Sequence, residues 1–525
     1  MPFMIVGSAI NAMIFHHGAP SDFDQWAEYQ KGQKGAEGWT YKEFNRYFLK
    51  FEKFHPSKTY GPTDLTSRSF TGPVNVGYFS HTAASTKVFL EACSNAGVSP
   101  NPDFNTSRGT LGVNKVCSSR SEFGVGALID FRVPDPVKRR VTTESSYLTP
   151  SALARPNLKV ATKARVARII FDNTSNGSGL RAVGVQYTNA GELYEVRARK
   201  EVIVSAGALH TPHVLMLSGI GPADHLASHN IPVLVDLPGV GSHLMDHPVI
   251  DFHYKDKSRA LLSGISSGNP RFNPTPYNIF IALALLIQYK LTGRGLLTTN
   301  PAESAGFVRS SDPKLFPPND FPIEEDIEDT TSGPGAPDIE FFHTPVAYME
   351  HGIRMFPKGH YFALHAVLLR PTSKGTVRLI SSDPSDEPVL DPEYLSTKHD
   401  IDVLVRATRL VTRIARTEPF ASLIDPSGDT DPLLDHGLHL ASDERIVEFI
   451  RDRVETLYHP ACSARMAPLE DGGVVDPFLR VHGIPNLRVV DASAFPTITS
   501  GHTASPVIAM AEKAADMIKD AIKSK

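Results

Sequence analysis

The fold of this chain is limited most by a layout of strand, small-residue loop and helix that occurs at two places. Near the C-terminus, Asn486-Leu487-Arg488-Val489-Val490-Asp491 reads as a buried strand. Small residues then run on through Gly501-His502-Thr503-Ala504. Ser505 suits an N-cap and Pro506 the first helical position. Val507, Met510, Ala511, Ala514, Ile518, Ala521 and Ile522 share one face at helical spacing, which predicts a helix nearly to the end. The start of such a helix carries unpaired N–H groups and a positive dipole end, with His502 just ahead of it. The second instance is Glu201-Val202-Ile203-Val204-Ser205, a short buried strand that runs into Gly207 and a helix beginning near Thr211-Pro212. This layout belongs to an α/β nucleotide-binding sheet.

Other stretches fill in around these two. Asp22-Phe23-Asp24 has the early acids of a helix start, and Phe44, Tyr47, Phe48 and Phe51 recur at helical spacing as a core stripe. Leu158–Thr162 and Val166–Ile170 read as strands; after an Asn173–Gly179 turn, Ala182–Tyr187 returns as a hairpin partner. Residues 313–337, rich in Pro, Gly and acid, read as a long surface loop. Tyr361–Leu369 and Thr376–Ile380 read as strands, and Ile401–Ala415 as a helix.

Composition narrows the function. Lys+Arg is 53 and Asp+Glu 57, a net charge of −4. That balance argues against a nucleic-acid surface, which needs clustered cations. The densest basic run, Lys138-Arg139-Arg140, is short and reads as a solvated loop. Cys93, Cys117 and Cys462 are too few to specify a disulfide framework. The longest apolar run, Ile279–Ile287, falls far below the roughly 20 residues that span a bilayer, and reads as a buried core helix. The opening residues lack the positive start and cleavage site of a signal peptide. Sequons at Asn105, Asn173 and Asn176 permit glycosylation only in a secreted chain.

Four ordered motifs carry a resemblance. They are Gly7-Ser8-Ala9-Ile10-Asn11-Ala12-Met13; Ser205–Pro212 running on to Ser218-Gly219-Ile220-Gly221-Pro222; Leu237-Pro238-Gly239-Val240-Gly241 with Asp246-His247-Pro248; and a C-terminal block. That block joins Tyr458-His459-Pro460, Gly473–Asp476, Asn486–Ser493 and Gly501-His502. Together they resemble the glucose–methanol–choline (GMC) oxidoreductases, especially the fungal alcohol-oxidising members. The family's opening βαβ unit with GxGxxG, which holds the FAD pyrophosphate, is absent from this sequence. Ala461-Cys462-Ser463 departs from the family's Gly-Thr, and His243 stands where Asn is usual.

The resemblance implies an α/β fold: a Rossmann-like FAD-binding domain without its first βαβ, and a sheet-and-helix substrate domain. The expected division assigns 1–60, 151–250 and 455–525 to the FAD-binding domain, and 61–150 and 251–454 to the substrate domain. FAD is the implied cofactor. Alcohol oxidation removes a hydroxyl proton and a hydride; the hydride needs such a cofactor and the proton a base like histidine. By the resemblance His502 and His459 are the active-site pair, with His502 the base and His459 orienting the alcohol oxygen, roles open to exchange. Ser8, Asn11, Ala12, Met13, Ile14, Val166 (through its backbone), Asp491, Ala492, Thr503 and Ala504 are the implied FAD contacts. The substrate would be a small-molecule alcohol, aryl or from secondary metabolism, and the electron acceptor O₂ or a quinone. His243 and His247 have a zinc-like i,i+4 spacing but lack the accompanying Glu, so no metal is expected. Two other readings stand beside this one. One is a hydroxynitrile-lyase-type FAD protein without net redox; the other is a truncated, non-catalytic fragment.

Overall fold

A computed structural model describes residues 6–57, 63–79, 81–119, 140–173, 179–260, 276–292, 302–317, 327–350 and 356–523, with 295, 297, 300, 353 and 354 between them. Lys138, Arg139, Asn176, most of the 173–179 turn and 318–326 of the proline-rich loop lie outside these residues. The strands that position the site are β1 (Gly112–Lys115), β2 (Val202–Val204), β3 (Pro248–Lys255), β4 (Ser304–Val308), β5 (Ile339–Thr344), β6 (Tyr361–Leu368), β7 (Glu455–Thr456) and β8 (Leu487–Val489). The helices are α1 (Tyr41–Phe51), α2 (Gly207–Leu217), α3 (Lys398–Ala415) and α4 (Ala504–Lys523).

β2 and β8 form a parallel pair, Val202 opposite Leu487 and Val204 opposite Val489. Val202 and Val204 point into the first core, while Ile203 faces outward and is 45% exposed. Each strand feeds a helix as expected, but both helices begin differently from the sequence reading. α2 starts at Gly207, leaving Pro212 inside it. The cause is non-local: Asp491, beyond β8, accepts from the Gly207 N–H at 2.9 Å and the Thr211 hydroxyl at 2.5 Å. α4 starts at Ala504, so Ser505 lies in its first turn and is not the cap. Its Oγ is buried without a partner among the described residues. The aromatic stripe on α1 is buried as expected, and α1 packs against α4.

The second layer is an antiparallel sheet in the order β7-β3-β6-β5-β4-β1. Successive side chains of a strand point to opposite faces. Ile250, Phe252, Ile339, Phe341, Phe362 and Leu364 line the face packed on α3, whose Val403, Ala407, Leu410, Val411 and Ile414 form the matching stripe. On the other face Val249, Phe307, Phe342 and Val367 join Ile14, Phe104 and Val116 in a smaller cluster. That face also carries Glu340, which turns toward the first core.

Two expected segments differ. Leu158–Thr162 is irregular, and its Val160 is 37% exposed; alternation there has no face to bury. The hairpin instead pairs Arg165–Asn173 with Leu180–Asn189, and Glu192–Arg197 adds a third strand. The apolar run 279–287 lies in a helix, Pro276–Thr292, but not a buried one: Phe280, Leu283, Ile287 and Leu291 are exposed. No helix among the described residues is long and apolar enough to cross a membrane.

Candidate active site

Two of the sequence motifs meet as a short antiparallel ladder. β7 pairs with the start of β3, and Met245 pairs with Ala461 through backbone bonds of 3.0 and 2.8 Å. The Leu457 N–H bonds to the His247 carbonyl between them. This register sets His459 against His247. Asp246 fastens the join: its Oδ1 accepts from the backbone N–H of His247 and of His459, each at 2.8 Å. Its Oδ2 accepts from Tyr394 at 2.5 Å and from Thr456. On either side of His459–Ala461, Tyr458 (φ 63°) and Cys462 (φ 70°) take left-handed backbone, a costly conformation for such residues that the ladder holds in place.

The hydrogen bonds assign protons to this pair. His247 Nε2 lies 3.1 Å from the Thr499 carbonyl, which can only accept, so Nε2 carries the hydrogen. Burial, then the charge of His502, push His247 down to about 3, so it is neutral. Its Nδ1 is therefore an acceptor, and His459 Nδ1–H donates to it at 2.9 Å. His459 in turn is held well below the usual imidazole range by burial, then by His502, His247 and His16. Neutral and protonated at Nδ1, it carries its lone pair on Nε2.

His502 arrives from the other side, on the loop before α4. That loop is tied down at every step: Trp26 Nε1 donates to Thr497 O, Arg370 Nη1 to Ile498 O at 2.6 Å, and Ser500 N–H and Oγ to Asp22, each at 2.8 Å. The His502 ring meets His459 edge-on, centroids 4.9 Å apart. Its Nε2 lies 2.9 Å from Glu340 Oε1 on β5. A further histidine, His16, stacks flat on Phe307 at 4.6 Å and lies 6.3 Å from the His502 ring. Its Nδ1 accepts from Gly18 N–H, leaving Nε2–H buried and unpartnered among the described residues.

The structure thus brings together His459 and His502, the two expected catalytic residues. Ala492 O accepts from Cys462 N–H at 3.0 Å, and Thr503 and Ala504 follow His502 directly, so these three lie beside the pair. Asp491 serves α2 as described. Asn11 is fastened by Arg140, Ala12 by Asn300, and Ser8 by Thr143 at 3.0 Å. Met13 (φ 61°) packs on Phe79, and Ile14 joins the Phe307 cluster. Val166 sits on a different sheet, the three-stranded meander, and is 38% exposed. His243 lies in a bend with left-handed backbone (φ 60°) and His247 just before β3, so neither is on a helix. Sequence reasoning quoted Asp246 within the Asp246-His247-Pro248 motif without giving it a site role, and did not single out Glu340 or His16. Glu340 left a signal too, an acid in the otherwise apolar run Ile339-Glu340-Phe341-Phe342.

A flavin fits the residues present. β2 leads into α2, whose first N–H is taken by Asp491, and the loop after β8 leads into α4; the remaining N–H groups of a helix start suit anionic oxygens. A Cβ at Gly207 would meet nothing within 4 Å, and Ser505 Oγ lacks a partner. GMC oxidoreductase family models match residues 6–249 and 371–511. The chain is a GMC oxidoreductase. This GMC chain is 37% identical to Dehydrogenase str4 of Strobilurus tenacellus, over 98% of this chain and 80% of that one. It is 32% identical to an alcohol dehydrogenase [acceptor] of Pseudomonas putida, over 97% and 80%. Among solved structures it resembles a fungal aryl-alcohol oxidase, with TM-score 0.75, 26% identity and coverage of 97% and 84%. A formate oxidase of Aspergillus oryzae gives 0.78, 25%, 98% and 84%. As a GMC oxidoreductase it is an FAD-dependent enzyme with a mixed α/β fold.

Proposed function

We propose that the chain oxidises an alcohol to a carbonyl compound, with His459 as the base. The carrying observation is the hydrogen-bond chain from Thr499 O through His247 to His459, which leaves the lone pair on His459 Nε2. This reading exchanges the two roles expected from sequence: His459 takes the hydroxyl proton, and His502 donates to the alcohol oxygen. FAD supplies the hydride acceptor. Ser8, Asn11–Ile14, Val166, Asp491, Ala492, Thr503 and Ala504 are the residues we assign to hold it. Asp246 keeps His459 and His247 in register, and the buried loop around His502 keeps bulk water from competing for the proton.

An aromatic primary alcohol is the substrate class to try first, since a fungal aryl-alcohol oxidase is among the similar structures. The electrons then leave to O₂ or a quinone. The test is anaerobic mixing of the FAD-loaded protein with benzyl alcohol. Bleaching of the flavin absorbance is expected. An unchanged spectrum, which a lyase would give, overturns the proposal. His459→Ala should slow bleaching by on the order of 10²–10⁴-fold.

A further inference from the structure

The sheet face that carries Glu340 holds a second polar pair, which the proton and hydride transfers do not use. Val249, Val367 and Glu340 stand side by side across β3, β6 and β5. Two residues away on each strand, and so on the same face, stand Asp251, His365 and Phe342. The His365 side chain is 1% exposed, and its ring stacks on Phe342 at 4.3 Å. Thr344 donates its hydroxyl to Val346 O at 2.8 Å, so its oxygen accepts from His365 Nε2–H, also at 2.8 Å. His365 Nδ1 meets Asp251 Oδ1 at 2.6 Å. The carboxylate is thereby fixed by a ring that is itself held by a stack and a hydrogen bond.

Asp251 also has a definite place relative to the reacting histidines. His247, the partner of His459, comes four residues before it in extended chain, about 13 Å away along the backbone. Between them the face is apolar, with Val249 next to Val367. The far end is negative. Glu455 pairs with Val249 at the edge of the sheet, and its charge joins that of Asp251 around two phenols. Burial, then Asp251 and Glu455, push the Tyr348 hydroxyl up. Burial, then Glu455 and Asp251, do the same to Tyr458, which directly precedes His459. The Asp251 side chain keeps 12% of its surface open.

We propose that Asp251 is a specificity-determining residue: it accepts a hydrogen bond from a second polar group of the alcohol, at the end away from the hydroxyl being oxidised. The inference rests on the alcohol-oxidising reading. His365 is the positioning residue that aims the carboxylate. The group Asp251 selects is a hydrogen-bond donor, a phenol, a further hydroxyl or an ammonium. A carboxylate in that place would meet the like charges of Asp251 and Glu455 and be rejected. The apolar strip of Val249 and Val367 suits the ring between the two polar ends. Side chains reaching in from both ends shorten the backbone span, so a single ring with its second group opposite the alcohol fits best. A site built to pair with a donor discriminates against an analogue that lacks it, because the acceptor is then left without its bond.

The test compares benzyl alcohol, para-hydroxybenzyl alcohol and para-(hydroxymethyl)benzoate as substrates of the FAD-loaded full chain. Wild type should prefer the phenol over benzyl alcohol by on the order of 10–10²-fold in kcat/KM, most of it in KM. The benzoate should be the poorest of the three. In Asp251→Asn, which keeps the shape but removes the charge, the ratio of phenol to benzoate should shrink at least tenfold. His365→Phe, which keeps the stack but releases the carboxylate, should raise KM for the phenol more than it lowers kcat. Equal kcat/KM for phenol and benzyl alcohol in wild type, or an unchanged ratio in Asp251→Asn, overturns the inference. If Asp251→Asn does not fold, the wild-type ranking decides alone. If wild type oxidises none of the three, the alcohol reading falls, and calorimetry with para-hydroxybenzaldehyde and benzaldehyde decides the rest. Tighter binding of the hydroxylated compound then supports the role of Asp251, and equal binding overturns it.

Discussion

His16 depends on the absence of one side chain. A Cβ on residue 501 would stand 2.0 Å from His16 Nδ1, and the His16 ring is already stacked on Phe307. Gly501→Ala should therefore cost about 1–3 kcal/mol of stability by overpacking, readable as a lower denaturant midpoint. It should also displace His502 and abolish most turnover. His459 and His502 were legible in the sequence because each sits inside a long ordered motif. Glu340 and His16 were not. Their place beside His502 depends on a contact across 162 residues and on a stacked ring; the acid in an apolar run marks Glu340 as unusual but does not name its partner, and His16 has no local pattern.

At the scale of elements, the join between β3 and β7 sets the geometry of His459, the proposed base. Asp246→Ala removes the acceptor for four donors, so the ladder should loosen and Tyr394 and Thr456 should lose their partner. Activity should fall at least tenfold while the parallel pair and α4 persist, as judged by hydrogen exchange. On β5, His343 is buried between Phe89, Phe362 and Phe420, and both ring nitrogens lack a partner among the described residues. Burial, then His365, push it down from 6.5 to about 3. A group neutral when folded and protonated when unfolded stabilises fully above the unfolded value. That contribution fades as pH falls from about 6.5 toward 3. His343→Phe should accordingly lose about 2 kcal/mol less than wild type between pH 7 and 4.5, measured by urea unfolding at both. Strand and helix positions were largely legible, since period-2 and period-3.6 patterns follow burial. The starts of α2 and α4 were not, because α2 is capped by Asp491 from across the parallel pair.

The whole molecule has two main hydrophobic cores, one under α1, α2 and α4 and one between the sheet and α3. The site lies where they meet: His502 comes from the first side, Glu340 from the second. Such a seam should open before either core melts. Turnover should disappear at lower urea than the far-UV circular dichroism signal; coincident curves would show a single cooperative unit. The six-stranded antiparallel order of the sheet was beyond sequence reading, which found β6 but not its neighbours. Their pairing is settled by which faces can be buried together, and no short window of sequence reports that.

The loop 497–502 is held by Trp26, Asp22 and Arg370, and it supplies both the carbonyl that orients His247 and the ring that meets Glu340. All of those partners precede it in the chain. During synthesis, which runs from the N-terminus, everything through residue 496 can emerge and begin to pack while the pocket still lacks its last wall. With His502 in the role proposed above, a nascent chain that stops short of this loop would hold His459 without its partner.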